Sequence, residues 1–177
     1  MSISGSLKRL LQRAYVRAML AIVARALVAA SRVDPVLRGE LAAFPRGCRV
    51  GMRVLGTGPS MTIESCGDGT FRRVAGAGAR PDLAIGFKHL SHAFLVLSFQ
   101  EGTALAFARD RMIADGDVAL ATRLVRCLNR LESVILPGVV ARRAVKRHPR
   151  LPALEKLALA TRIYAGVALG FVGAGGR

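Results

Sequence analysis

The stretch that decides the fold is RVGMRVLGTGPSMTIESCGDGTFRRV, residues 49–74. Apolar and basic residues alternate at its start, and this period of two predicts a strand, with Val50, Met52 and Val54 on one side and Arg49 and Arg53 on the other. Glycine-rich turns at residues 56–59 and 67–69 separate two further predicted strands, residues 60–66 and 70–74. The stretch therefore predicts an antiparallel meander of three strands.

The residues after the meander predict two more strands and three helices. A fourth strand is expected at residues 82–87, a helix at 88–98, a short helix after Gly102 and a last strand at 111–114. Asp117 follows that strand, and its carboxylate is placed to cap the next helix. That helix is predicted from Val118 to about Leu131, with one apolar face and a solvated basic face formed by Arg123, Arg126 and Arg130.

The chain before the sheet predicts one long basic amphipathic helix from Ser6 to Ser31, which contains no proline and no acid. Its predicted apolar stripe is Leu7, Leu10, Leu11, Ala14, Ala18 and Ile22, and its basic face is Lys8, Arg9, Arg13 and Arg17. Two interpretations stay open, and both can hold at once: the stripe packs on the core, or the helix lies on an anionic membrane surface. An acid-free, arginine-rich start is also typical of transit peptides.

The charge is unevenly distributed along the 177 residues, whose 27 basic and 11 acidic side chains give a net charge of +16. Residues 1–50 carry +7, residues 51–132 carry +2 and residues 133–177 carry +7. We therefore divide the chain into a basic amphipathic N-terminal helix at 1–39, a central module at 40–132 and a basic and apolar C-terminal extension at 133–177. A basic protein of this kind favours a polyanionic partner.

The C-terminal extension combines a basic cluster with an apolar end. The cluster contains Arg142, Arg143, Lys146 and Arg147, and the uncharged run 163–176 is shorter than a membrane-spanning helix requires. The spacing of Gly166 and Gly170 matches a helix dimerisation pattern, which is weak evidence outside a long apolar segment. We expect a short interfacial anchor or a tail packed on the domain, and no transmembrane span.

Motifs for catalysis are sparse. His89 and His92 stand one turn apart on a predicted helix, but a zinc site requires a third protein ligand and none is evident nearby. The glycine pairs form no phosphate-binding motif, no serine or cysteine lies in a nucleophile motif, and three cysteines do not make a disulfide framework. With 5% aromatic residues and no tryptophan, the chain offers few rings on which the bases of nucleic acid could stack. We therefore expect no catalytic residues, no metal and no cofactor.

The sequence resembles the sterol carrier protein type 2 domain family over about residues 40–132. The resemblance rests on the strand meander, on Asp82-Leu-Ala-Ile85 entering a helix, and on Ala114-Asp-Gly-Asp117 before Val118. In length and extensions, the chain also resembles bacterial members that are accessory factors of ubiquinone biosynthesis. The resemblance implies an α+β fold, with a five-stranded mostly antiparallel sheet covered by helices around an apolar tunnel, and no chemistry of its own. Arg109-Asp110-Arg111 departs from the glycine and lysine that many members have there.

The function expected from these observations is a non-catalytic carrier that holds an isoprenoid of the ubiquinone-precursor kind, a sterol or a phospholipid tail. The predicted lipid-binding residues are Leu90, Phe94, Leu97, Leu105, Phe107, Leu120, Leu124 and Leu128. The predicted membrane-docking residues are Lys8, Arg9, Arg13, Arg17, Arg142, Arg143, Lys146 and Arg147. We expect a cytoplasmic protein that associates peripherally with anionic membranes, with a biosynthetic protein complex as a further partner. The alternative is a non-catalytic subunit whose basic flanks bind an acidic protein or nucleic acid.

Overall fold

The computed structural model describes residues 3–74, 80–135 and 153–172. The elements between residues 49 and 135 follow the order predicted from the sequence, with ends that differ by a few residues, whereas the helices Pro35–Leu41 and Ala153–Val172 were not predicted. The elements in chain order are α1 (Ile3–Val33), α2 (Pro35–Leu41), β1 (Arg49–Val54), β2 (Ser60–Ser65), β3 (Phe71–Arg73), β4 (Leu83–Phe87), α3 (Leu90–Leu97), α4 (Thr103–Ala108), β5 (Met112–Asp115), α5 (Val118–Ile135) and α6 (Ala153–Val172).

The five strands form one mixed sheet in the order β3-β2-β1-β4-β5. The meander is confirmed, because β1 pairs with β2 and β2 with β3 in antiparallel register. β4 pairs antiparallel with β5 and parallel with β1, where Val50 lies opposite Leu83 and Val54 opposite Phe87. All residues of β4 are buried, which fits a strand in the interior of the sheet. The α+β fold with a mostly antiparallel five-stranded sheet is therefore confirmed.

Helix α1 packs on the sheet through a different face from the predicted one. Its buried side chains are Val16, Leu20, Ala24, Leu27 and Ala30. Val16 lies nine residues after Leu7, and Leu20 lies nine residues after Leu11. Nine residues are two and a half helical turns, so the two members of each pair lie on opposite faces of the helix. Leu7, Leu10 and Leu11 are accordingly 55%, 65% and 62% exposed. The helix thus has two apolar faces, one buried in the core and one open near its start.

Helix α6 packs along α1 rather than projecting from the domain. Leu159 and Ile163 are buried, while Leu154, Leu157, Tyr164 and Leu169 are exposed on its other side. Gly166 faces α1 so closely that an added Cβ would lie 2.8 Å from the Cβ of Ala29. The glycine spacing that resembles a dimerisation pattern is therefore used for a close crossing of two helices within one chain.

The basic face of α5 is paired with acids and is solvated in part: the side chains of Arg123 and Arg126 are 38% and 49% exposed, and that of Arg130 is 13% exposed. Arg130 binds the carboxylate of Asp34 at 2.6 and 2.9 Å, and Asp34 is 2% exposed. Arg123 and Arg126 both bind Glu40 at 3.0 to 3.2 Å. Asp34 also caps α2 by accepting the backbone N–H groups of Val36 and Leu37. These contacts hold α2 and the residue that caps it against α5.

One described helix, α1, is long and apolar enough to cross a membrane by length and composition. Its segment Gly5–Val33 reaches a mean hydropathy of 1.6, but half of the relevant window is buried inside the protein. A helix in the core of a domain meets the same criteria, so this finding is weak evidence for a span.

Candidate functional site

A small apolar cavity lies between the sheet and the helices that cover it. Its volume is about 50 Å³. Its lining comes from α1, α3, α5, β1, β5 and the start of α4, and consists of Met19, Ile22, Val23, Ala26, Met52, Val96, Leu97, Phe99, Thr103, Met112, Leu128, Leu131, Glu132 and Ile135. Thr103 and Glu132 are the polar members of this lining. The apolar tunnel implied by the resemblance stays an expectation, because this cavity is narrow.

The cavity lining is rich in methionine. Three of the five methionines of the chain, Met19, Met52 and Met112, line the cavity. Methionine is unbranched and polarisable, so it fills gaps of different shape at little cost. Phe99, just after α3, has a φ of 59° because it ends the helix: its N–H donates to the carbonyl of Val96 and that of Gln100 to the carbonyl of Leu95, which is a left-handed C-terminal cap.

The cavity is contracted in this structure. Sites for small molecules usually enclose about 300–1,000 Å³, several times the volume found here. A lipid tail therefore enters only if the lining side chains move apart.

Glu132 is the ionisable group of the cavity lining. It lies on α5 four residues after Leu128, within the apolar stripe of that helix. Burial alone raises the pKa of its carboxyl group from 4.5 to about 7. It has no hydrogen-bond or ion-pair partner in the described part of the chain. An unpaired carboxyl group in an apolar pocket is the arrangement expected of a binding residue rather than of a structural one.

The predicted lipid-binding residues are divided between the cavity and its surroundings. Leu97 and Leu128 line the cavity. Leu124 is fully buried in the core, and Leu105 is 42% exposed on α4. The remaining four are partly buried against the core: Leu90, Phe94, Phe107 and Leu120. The ring of Phe94 meets that of Tyr15 edge to face at 5.2 Å, so it contacts the early part of α1.

The predicted membrane-docking residues are divided in the same way. Lys8, Arg9, Arg13 and Arg17 are exposed on α1, and Arg13 donates to the carbonyl of Thr57 at 2.7 Å. The other four, Arg142, Arg143, Lys146 and Arg147, lie outside the described residues. Both sets stay predictions.

The sequence analysis missed the contribution of α1 and the role of Glu132. Met19, Ile22 and Val23 were assigned to a flanking helix, although they form one wall of the cavity. A signal for Glu132 was present in the sequence, because it is the single acid between Asp117 and Glu155 and it interrupts an apolar stripe. The described lining contains no basic side chain that could pair with Glu132. The sequence cannot reveal this, because it depends on how the helices pack.

The segment Arg109-Asp110-Arg111, which departs from the resembled family, forms a compact ion-pair cluster. Arg109 and Arg111 bind the carboxylate of Glu101 at 3.1 and 2.6 Å, and Glu101 is buried. Asp110 has a φ of 58°, a conformation that favours glycine, and its carboxylate binds Lys88. Glycine would adopt this positive φ without strain. Here the position is occupied by Asp110, and ion pairs stabilise the turn around it.

His89 and His92 lie side by side, with ring centroids 5.0 Å apart. Burial, followed by the charges of His89 and Arg111, lowers the pKa of His92. Among the described residues, no group of three His, Cys, Asp or Glu side chains is placed to hold a metal ion. The three cysteines are free thiols, and burial raises the pKa of Cys127 to about 12, far from that of a reactive thiol.

A second concavity, of about 440 Å³, lies between α1, β3 and α6 and is lined by arginine. We call it the arginine pocket, and its basic members are Arg25, Arg32, Arg72, Arg73 and Arg162. Arg25 donates to the carbonyl of Gly170 at 3.4 Å, and burial together with Arg73 lowers its pKa. No acid is among the described lining residues, and every Asp and Glu of the chain lies in the described ranges. Arg72 is nevertheless ion-paired with Glu64, which lies outside the lining, so the positive charge of this pocket is partly compensated within the chain.

No family model matches the chain, and no curated protein matches it. Solved structures that match include the UbiJ-SCP2 ubiquinone synthesis protein, at 14% identity and a TM-score of 0.42, covering 71% of this chain and 98% of that one. Palmitated SCP2L2 from Aedes aegypti matches at 16% identity and a TM-score of 0.39, covering 60% of this chain and 89% of that one. The sterol carrier protein domain 2 of Helicoverpa armigera matches at 18% identity and a TM-score of 0.38, covering 71% of this chain and 87% of that one.

These likenesses have TM-scores below 0.5, so the function is inferred from the residues of this chain. The resemblance seen at residues 82–85 and 114–117 is to the same group of proteins as these solved structures. In fold, the chain is similar to sterol carrier protein type 2 domains.

Proposed function

We propose that the protein is a non-catalytic lipid carrier, which holds an apolar tail in the cavity between sheet and helices and docks on anionic membranes. The observation that carries the proposal is an apolar cavity lined by three methionines, with one carboxyl group in its wall that no described cation pairs. Each CH₂ group of a tail that leaves water there contributes about 0.8 kcal/mol. The mechanism is sequestration, so no reacting group is required of the protein.

The candidate ligands are an isoprenoid of the ubiquinone-precursor kind, a sterol and a phospholipid. Two of the similar structures are described as a ubiquinone synthesis protein and as a palmitated protein, and we use those descriptions to choose test ligands. The expected cellular place is the cytoplasmic face of a membrane, where the carrier would load and release its lipid.

The proposed docking surface is the start of α1. Leu7, Leu10 and Leu11 are exposed, and Lys8 and Arg9 stand beside them in the chain. An exposed apolar helix face flanked by basic side chains suits an anionic lipid surface, where each Lys or Arg contributes about 1 kcal/mol. The net charge of +16 favours the same partner.

Ligand binding is tested by native mass spectrometry and lipid extraction of the purified protein, followed by melting curves with added ubiquinone analogues, sterols and phospholipids. We expect a co-purifying lipid and a rise of several degrees in Tm with at least one class, because a ligand that binds only the folded state stabilises it. If no lipid is found and no addition changes Tm, the carrier proposal is wrong.

Docking is tested by sedimentation with vesicles of phosphatidylglycerol and phosphatidylcholine. Replacing Leu7, Leu10 and Leu11 together by serine should weaken vesicle binding by at least about tenfold, since three apolar side chains no longer enter the interface. Replacing Leu154 and Leu157 of α6 by serine is the matched control, because it removes exposed leucines elsewhere. An equal loss for both variants would contradict a specific surface on α1.

The same experiments separate the alternative function, an interaction subunit for an acidic protein or nucleic acid. Tight DNA binding that falls steeply with salt, together with indifference to anionic vesicles, would favour the alternative. The carrier proposal predicts the reverse pattern.

A further inference from the structure

The cavity wall contains one ionisable side chain, the carboxyl group of Glu132, and no basic side chain is among the described residues that line it. Around Glu132, α1 presents Met19, Ile22 and Val23, and α3, β1 and β5 present Val96, Leu97, Met52 and Met112. None of these side chains titrates, and α4 contributes the hydroxyl of Thr103. Arg130 on the same helix is bound to Asp34. Within the described ranges 3–74, 80–135 and 153–172, no basic side chain is paired with Glu132 or lines the cavity beside it.

A structural role does not explain this position. Seven of the eleven acids form ion pairs, Asp117 caps α5 and Asp82 accepts the N–H of Arg49. Glu132 makes no such contact in the described residues, and removing an unpaired carboxylate even partly from water costs free energy. A partner supplied by a ligand would offset that cost.

We propose that Glu132 binds the head group of the lipid and selects heads that are uncharged and form hydrogen bonds, such as an alcohol, a phenol or a quinone carbonyl, over anionic heads. This inference rests on the proposed function, because it assumes that a lipid tail fills the cavity. The ionised carboxylate accepts a hydrogen bond from a hydroxyl, and the protonated form donates one to a carbonyl. A carboxylate or phosphate head would meet like charge in an apolar surrounding, where repulsion is strong.

The inference contradicts what the net charge alone would suggest. A surface of +16 attracts anionic lipids, so a fatty acid would be the expected ligand on charge grounds. Glu132 reverses this preference at the cavity, because the arginines lie outside the lining. Anions are attracted to the outside of the protein, while the cavity takes a neutral lipid.

The test compares two lipids with the same tail, retinol and retinoate, at pH 8. Retinol binding is followed by its own fluorescence, and retinoate is measured as a competitor. We expect wild-type protein to bind retinol at least about tenfold more tightly. Glu132→Gln should reduce that ratio to about threefold or less, mainly by strengthening retinoate binding, because glutamine keeps the shape and the hydrogen bonds but removes the charge.

Two further variants separate the roles of charge and hydrogen bonding. Glu132→Leu should also strengthen retinoate binding but weaken retinol binding about fivefold, the usual consequence of one lost hydrogen bond. Glu155→Gln removes the same charge from an exposed position on α6 and should change neither affinity. Melting curves show that each variant is folded.

The outcomes are distinct. Equal wild-type affinities for retinol and retinoate, or a ratio unchanged in Glu132→Gln while retinol still binds, would overturn the role of Glu132 and leave the carrier proposal standing. Retinylamine binding more tightly than retinol would overturn the assignment to uncharged heads. Binding of neither retinoid nor any other lipid would overturn the carrier proposal, and this inference with it.

Discussion

Glu132 and Asp34 are both carboxyl groups in apolar surroundings, but they differ in whether a cation faces them. Asp34 accepts two hydrogen bonds from Arg130 and two from the start of α2. Glu132 has neither kind of partner in the part of the chain that the structure describes, and burial raises its pKa to about 7. We therefore expect opposite effects from two substitutions: removing the charge of Glu132 should stabilise the protein, and removing the cation that pairs with Asp34 should destabilise it.

For Glu132, stability should fall as the pH rises. Its pKa is about 7 in the folded protein against an ordinary value of 4.5 in the unfolded chain, so the folded protein binds more protons between these values, and the stabilisation present below pH 4.5 is lost as the pH passes 7. Glu132→Gln removes this loss. The variant should therefore be more stable than the wild type at pH 8. Its gain in the free energy of unfolding, measured by urea unfolding, should be about 2–3 kcal/mol larger at pH 8 than at pH 4. Parallel pH curves for the two proteins would contradict the prediction.

For Asp34, removing its partner should be costly. Arg130→Met leaves the buried carboxylate without its counter-ion and should destabilise the protein by about 3 kcal/mol. Arg80→Met breaks the exposed pair with Asp115 and should cost less than about 1 kcal/mol. Chemical unfolding of both variants measures the difference, and similar losses would show that burial of the pair does not matter.

At the scale of elements, the crossing of α1 and α6 depends on one glycine. A Cβ on Gly166 would lie 2.8 Å from the Cβ of Ala29, whereas a Cβ on Gly170 would meet the side chain of Arg25 at an ordinary 3.6 Å. The two glycines share a motif and a helix but differ in what faces them. They therefore form a matched pair for testing the crossing.

Gly166→Ala should lower Tm by several degrees, because the two helices must move apart. Gly170→Ala should leave Tm unchanged or raise it by a few degrees, since alanine favours the helix by up to about 1 kcal/mol over glycine. Equal shifts in both variants would show that the crossing is not tightly packed. A change in oligomeric state in either variant would instead favour the dimerisation pattern.

Helical spacing also shows why the face of α1 was predicted incorrectly. Apolar residues occur all around the helix between Leu7 and Ala30, so periodicity supports more than one buried stripe. The sheet and α6 select the stripe of Val16, Leu20 and Leu27. The strands were predicted with fewer errors, since alternation has one register and the glycine turns limit each strand.

At the scale of the whole molecule, the cavity is a space left where six elements meet. Ala26→Leu should fill it and change stability by less than about 1 kcal/mol, because the added carbons enter an existing space. Ala93→Leu adds the same carbons to a fully buried site that does not line the cavity, and should cost about 1–3 kcal/mol. Urea unfolding of the two variants measures both changes, and equal losses would show that the space beside Ala26 is already filled.

The same variant is a test of ligand binding. Ala26→Leu should abolish the rise in Tm caused by a lipid that stabilises the wild type, because the tail and the new side chain compete for one volume. An undiminished rise in Ala26→Leu would place the ligand elsewhere in the protein, and the cavity would lose its assigned role.

The sequence by itself determined the order and type of the elements, because period, turn residues and caps are local properties of residues 49–131. It also determined that the excess charge lies toward the two ends, which follows from counting. The tertiary structure alone decided that β4 pairs parallel with β1, that α5 uses its arginines against Asp34 and Glu40, and that Glu132 lines an apolar space to which no described cation contributes. These features depend on which residues distant in the chain are brought together, and neither periodicity nor composition specifies that.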